Sequence, residues 1–141
     1  MHISEYMNEI SLDIGKYIEC FKALSDQTRL RIFYILCKVN KEIAVCELID
    51  ATAESQCNVS RHLKVLKYAG LIKEKRQGRW VLYSVNYDEI GLMPGLADTI
   101  LAMCSSLLQE DIRRTKARLK KRIKGKIVFC LPECPTDVSD E

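Results

Sequence analysis

The chain has 141 residues, 48% hydrophobic and 29% charged, which fits one globular domain with a core of its own and is too short to suggest two. No segment reaches the roughly 18 to 20 uninterrupted apolar residues of a membrane span, and the first residues, MHISEYMNEISLDIGKY, are acidic and periodic rather than basic and then apolar as in an export signal. A cytoplasmic protein without a membrane partner is expected. The cysteines number seven, and an odd count in a reducing compartment argues against a disulfide framework, so each is either a small core residue or a reactive thiol.

The net charge of +3 is modest, but the positive charge is gathered. From Arg61 to Arg79 there are seven Lys or Arg against one acid, Glu74, and residues 113–126, RRTKARLKKRIKGK, hold nine basic residues and no acid. Such faces suit phosphate backbones, although a charge run is also what a solvated helix face looks like.

Ile3, Met7, Ile10, Ile14, Tyr17, Phe21 and Leu24 recur at alternating steps of four and three, one apolar seam on a helix of about six turns. A seam that strict predicts a partner helix. Asp26 is a good N-cap for residues 28–39, TRLRIFYILCKV, whose dense apolar content predicts a buried helix. A short helix over about 45–52 and a longer one over 56–69 are separated by only a few residues, which raises a helix-turn-helix. Gly70 is placed to close the longer helix in a left-handed conformation. LIKEKR and RWVLYSV then read as the strands of a hairpin with its tip at Arg76, Gln77, Gly78 and Arg79. After Pro94, the positions Leu96, Ile100, Met103, Leu107, Leu108, Ile112, Leu119 and Ile123 predict one long amphipathic helix ending near Gly125. The fold class expected is mainly α with a small β-hairpin, with a domain over 1–126 and a cysteine-containing, acidic tail over 127–141.

FKALSDQTRLRIFYIL followed by AVCELIDATAESQCNVSRHLKVLKYAGLIKEKRQGRWVLYSV resembles the ArsR/SmtB family of metal- and thiol-responsive repressors over residues 17–85. The phrases LSDQTRLRI and VSRHLKVLKYAGLI, in this order and with the following RQGRWVLY, carry the likeness. It implies a homodimeric winged helix-turn-helix joined by its N- and C-terminal helices, bound to double-stranded operator DNA and released by an effector.

The longer helix supports this from its own residues. Val59, Leu63, Leu66 and Ala69 share one face, which leaves Gln56, Asn58, Ser60, Arg61, Lys64 and Lys67 on the other. Arg reads guanine bidentately, Asn and Gln read adenine, and Lys contacts phosphate. His62, nearer the edge of the apolar face, ranks behind Arg61 as a contact. At the hairpin tip Gly78 supplies positive φ and projects Arg76 and Arg79 toward a neighbouring minor groove or its phosphates. Trp80 is expected to pack the hairpin against the helices. A symmetric dimer sets two recognition helices about 34 Å apart, so the operator is expected to be an imperfect inverted repeat.

Soft thiolates bind As(III) and related ions, and a trivalent metalloid takes three. The resemblance places Cys46 at the second cysteine of the family's metal motif, with Ala44 and Ile49 where the arsenic-sensing branch has the others. Cys130 and Cys134, in FCLPECP, are spaced to face one ion, and with Cys46 they form the expected three-thiolate site. The alternative is a persulfide or redox sensor using Cys37 and Cys104, though Cys37 lies about one turn beyond the position the family implies. Only His2 and His62 are present, so a histidine and carboxylate site for zinc or nickel is not expected. No cofactor is expected for folding. An enzyme would need a nucleophile with a positioned base or a phosphate-binding glycine loop, and neither pattern occurs. A thiol metallochaperone or oxidoreductase, built on the tail cysteines, and a winged helix that makes only protein contacts are the readings from other classes.

Overall fold

The structure is a computed structural model and describes residues 14–90 and 94–128. Ile3, Met7 and Ile10 of the expected seam, and Cys130 and Cys134, lie outside the described residues.

Helix α1 (Ile14–Leu24) turns Cys20 and Ala23 toward the rest of the chain, and the Cys20 thiol donates to the Ala69 carbonyl at 3.5 Å. Seam residues Ile14 and Phe21 are instead 73% and 59% exposed, as is 47% of Ile18. Helix α2 (Gln27–Val39) begins where the Asp26 carboxylate accepts from the Arg29 N–H at 3.1 Å and ends on Asn40 in the left-handed region. It is the central helix, with Arg31 through Cys37 all buried. A run buried on every side belongs to a helix surrounded by others, which is why its apolar pattern carries no single stripe.

Strand β1 (Ile43–Ala44) leads into helix α3 (Val45–Thr52), whose Glu47 carboxylate reaches back to the Ala44 N–H at 3.0 Å. After a turn at Ala53, the Ser55 hydroxyl caps helix α4 (Gln56–Tyr68) by accepting from the Asn58 N–H at 3.2 Å. Helix α4 closes as the sequence predicts: Gly70 has φ +85°, its N–H donates to the Lys67 carbonyl, and the Leu71 N–H donates to that of Leu66.

Strands β2 (Ile72–Gln77) and β3 (Trp80–Val85) pair antiparallel, Gln77 opposite Trp80, and β1 adds a third strand on the far side of β3 in the order β1-β3-β2. The two-residue strand β1 carries too little pattern to be seen in the sequence. Gly78, at φ +63°, is the first of the two turn residues, and Arg79 is not in the positive-φ region. Positive φ at the first residue is what a tight hairpin turn of the II′ kind requires.

A short helix α5 (Tyr87–Ile90) is followed by α6 (Leu96–Leu101) and α7 (Ser106–Leu119). The expectation of one helix from Leu96 to Gly125 is therefore wrong. Ser105 is extended, with φ −151° and ψ 155°, and its hydroxyl accepts from the Leu108 N–H at 3.2 Å. A serine able to cap a new helix competes with continuing the old one, and here the cap wins. The far end stops near Lys120, and Ile123 and Lys126 bridge across Lys124 and Gly125, both at positive φ.

Helix α7 lies along α3, and the reason is chemical. Arg114 and Arg118, one turn apart on α7, and Arg122 just beyond its end face inward: Arg114 to the Ala51 carbonyl (3.0 Å), Arg118 to Asp50 (2.6 Å) and Arg122 to Glu47 (2.6 and 2.8 Å) and the Glu42 carbonyl (2.9 Å). Part of the basic run is thus a docking face rather than a free cationic one. The helix-turn-helix with its three-stranded wing is a winged helix-turn-helix, mainly α.

Candidate nucleic-acid interface

Helix α4 buries Val59, Leu63 and Leu66 completely against the core. The opposite face leaves Arg61, Lys64 and Lys67 exposed and Gln56, Asn58 and Ser60 half-buried. The division follows the 3.6-residue period, so the face that reaches solvent is fixed by the face that cannot.

The exposed side chains differ in how they are held. The Arg61 guanidinium donates to the Asn58 amide oxygen at 3.0 Å, and the Asn58 amide nitrogen donates to Glu54 at 2.8 Å. The Lys67 ammonium lies 2.9 Å from Glu74 on β2, so the one acid of the first basic stretch ties the recognition helix to the wing. Hydrogen bonds from Lys67 and then from the Tyr83 hydroxyl hold the Glu74 carboxyl below its ordinary range. Burial and the bond to Glu74 push the Tyr83 phenol up to about 12.

His62 does not stand on the exposed face. Its Nδ1 is 3.1 Å from an Arg29 Nη1 and its Nε2 is 3.8 Å from the Asp26 carboxylate. Arg29 in turn donates to the Ala23 and Lys22 carbonyls, so His62 faces the junction of α1 and α2. Burial moves the imidazole below its ordinary range, partly countered by Asp26.

On the wing, Arg76, Gln77, Gly78 and Arg79 are all exposed, and nothing lies within 4 Å of a side chain built on Gly78. The Arg79 guanidinium sits over the Trp80 ring at 4.9 Å from its centroid. Trp80 is therefore half-buried beneath a cation at the wing tip, and it also lines an open groove with Glu42, Leu82 and Arg122.

The thiols fall into distinct surroundings. Cys20 and Cys37 are buried and Cys104 is exposed, none of the three in a disulfide, whereas Cys46 and Cys57 are each engaged in one. Burial pushes the Cys37 thiol up to about 12, which makes it a poor nucleophile. Cys46 is half-buried at the start of α3, with an Arg118 Nη2 at 3.8 Å from its sulfur. Among the described residues no three or more His, Cys, Asp and Glu converge as a metal site.

Several residues that organise this region escaped the sequence reading: Arg31, Glu54, Asp111 and Arg118. Only Arg31 carried a signal, a charge amid the apolar LRIFYIL, whereas Glu54, Asp111 and Arg118 stand among other polar residues.

A winged helix-turn-helix that shows a cationic and amide-bearing helix face beside a basic wing defines a DNA-binding transcriptional regulator. The profile of bacterial regulatory proteins of the arsR family matches residues 26–74. The chain is 35% identical over 98 residues to the arsenic resistance transcriptional regulator ArsR2 of Pseudomonas putida, covering 70% of this chain and 84% of that one. It is 43% identical over 77 residues to the arsenical resistance operon repressor of Bacillus subtilis, covering 55% and 72%. Among solved structures it resembles the homodimeric winged helix-turn-helix DNA-binding domain of Mb0332 from Mycobacterium bovis, at a TM-score of 0.53 and 25% identity over 62% of this chain and 79% of that one. The chain belongs to the ArsR family of transcriptional repressors, a non-enzymatic class.

Proposed function

We propose that the protein is a homodimeric repressor that reads an inverted-repeat operator with α4 and the wing and is released by As(III) or another soft ion bound to thiolates. The observation that carries the DNA half is the exposure of Arg61 and Lys64 on a helix whose other face is fully buried. Arg61 reads a base edge, Lys64 contacts phosphate, and Arg76 and Arg79 reach the flanking groove. The work is done where the chromosome is, in the cytoplasm; among the described residues no helix is long and apolar enough to cross a membrane.

Dimerisation is supported by apolar surface that a single chain leaves in water: Ile14, Ile18 and Phe21 on α1, with Leu101 and Leu107 at the ends of α6 and α7. The Mycobacterium bovis domain is a homodimer.

For the effector, Cys46 with Cys130 and Cys134 remains the reading, supported by relatives named for arsenic resistance, and in the structure the Cys46 sulfur is held in a disulfide. A disulfide and a metalloid are exclusive uses of that sulfur, so loading needs reduced protein. Cys46 lies on the helix that Arg114, Arg118 and Arg122 clamp to α7, so ligation there acts on the packing of α3 against the C-terminal helix. An ion releases the operator only by binding the DNA-incompetent arrangement more tightly. The test is binding of reduced protein to its own upstream DNA with and without arsenite. A thiol metallochaperone would instead bind the ion and ignore the DNA.

A further inference from the structure

An unbroken chain of polar contacts runs from the C-terminal helix to the recognition face. The Asp111 carboxylate on α7, fully buried, accepts from Arg31 Nε at 2.8 Å and Nη2 at 2.9 Å. Arg31 Nη2 also donates to the Thr52 carbonyl at 2.6 Å, and its Nη1 lies 3.2 Å from Glu54. The other Glu54 oxygen accepts from the Asn58 amide at 2.8 Å, and the Asn58 oxygen accepts from Arg61 at 3.0 Å. Charge alternates along it, carboxylate, guanidinium, carboxylate, amide, guanidinium.

We infer that Asn58 and Glu54 are positioning residues that hold the Arg61 guanidinium for base reading, and that Asn58 does not itself read a base. The inference rests on the DNA-reading role proposed above for Arg61. Bidentate recognition of adenine needs both the oxygen and the nitrogen of an asparagine amide turned to one base. Here both ends are committed along the helix surface, the nitrogen to Glu54 and the oxygen to Arg61. Glu54, a carboxylate beside a surface meant for phosphate, would repel DNA if bare, and Arg31 neutralises it from the buried side. Arg31 is in turn fixed by Asp111 and the Thr52 carbonyl, so the end of the chain is a buried, fully bonded pair rather than a mobile surface contact. An arginine held this way meets its base with less freedom left to lose.

The experiment uses full-length protein and a DNA site selected by the wild type from a random library, with each base pair then substituted in turn and affinity read by anisotropy. Arg61→Ala identifies the base pair that Arg61 reads. Asn58→Ala and Glu54→Ala are expected to relax preference at that same base pair, by about tenfold, with the salt dependence unchanged. The Asn58→Ala, Arg61→Ala double variant is expected to be no worse there than Arg61→Ala, because a positioning residue has nothing left to position. Circular dichroism confirms that each variant is folded. If Asn58→Ala relaxes a different base pair, or leaves preference intact, the inference is overturned. If Arg61→Ala itself leaves every preference intact, the DNA-reading role of Arg61 fails first, a result visible in that variant alone, and this inference falls with it.

Discussion

Arg31 and Asp111, 80 positions apart in sequence, meet in a two-point ion pair of 2.8 and 2.9 Å that is closed off from solvent and joins the central helix to the C-terminal one. Bonding to Asp111 raises the Arg31 pKa above its ordinary value despite burial. A buried pair gains little over an apolar replacement of both members, yet removal of one member strands the other. Asp111→Ala is expected to cost about 3–5 kcal/mol of stability by urea denaturation. Arg113→Ala, which removes an exposed partner of Glu110, is expected to cost about 0–1 kcal/mol.

The apolar face of α1 predicts its own assay. Phe21→Glu or Ile14→Glu is expected to convert a dimer to monomer in sedimentation at micromolar concentration and to weaken operator binding together with it. A wild-type protein that sediments as a monomer would remove the dimer from the account.

His62 makes stability depend on pH with a definite sign. Its folded pKa lies below the ordinary histidine value of 6.5, so between the two the unfolded chain binds more protons than the folded one. The contribution is complete above about 6.5 and is lost as pH falls through the lower, folded value. Denaturation midpoints are expected to fall on acidification below that point, and His62→Gln to flatten that part of the profile while leaving the drop at lower pH, where Asp26 protonates.

Thiol accessibility separates the members of the alternative redox pair. At neutral pH, iodoacetamide is expected to alkylate Cys104 readily in folded protein and to spare Cys37, which is buried and titrates at about 12. Equal labelling of both in the native state would show that Cys37 opens to solvent and would favour the persulfide mechanism.

Most of the fold was legible because its signals are local. The Asp26 and Gly70 caps, the buried run of α2 and the period of α4 each follow from neighbouring residues. The long C-terminal helix was misread because apolar spacing alone cannot see that Ser105 caps a new helix, and β1 was missed because two residues carry no period. The exposed face of α4 was legible from the buried one. What could not be read was how its residues are held: Asn58 between Glu54 and Arg61, Lys67 against Glu74, and His62 against Arg29 are long-range or side-chain choices that one-dimensional pattern does not encode. The same limit applied to residues 113–126, where composition showed nine cations but only packing showed that Arg114, Arg118 and Arg122 turn inward.

The most direct test of an effector-released repressor is the anisotropy of labelled upstream DNA bound to reduced protein, titrated with arsenite, for the wild type and for Cys130→Ser, Cys134→Ser. The wild type is expected to bind and then to release as arsenite rises, and the double variant to bind with the same affinity and stay bound. Release of the double variant at the same arsenite concentration as the wild type would contradict the three-thiolate site, and a wild type that stays bound throughout would contradict release by As(III) itself.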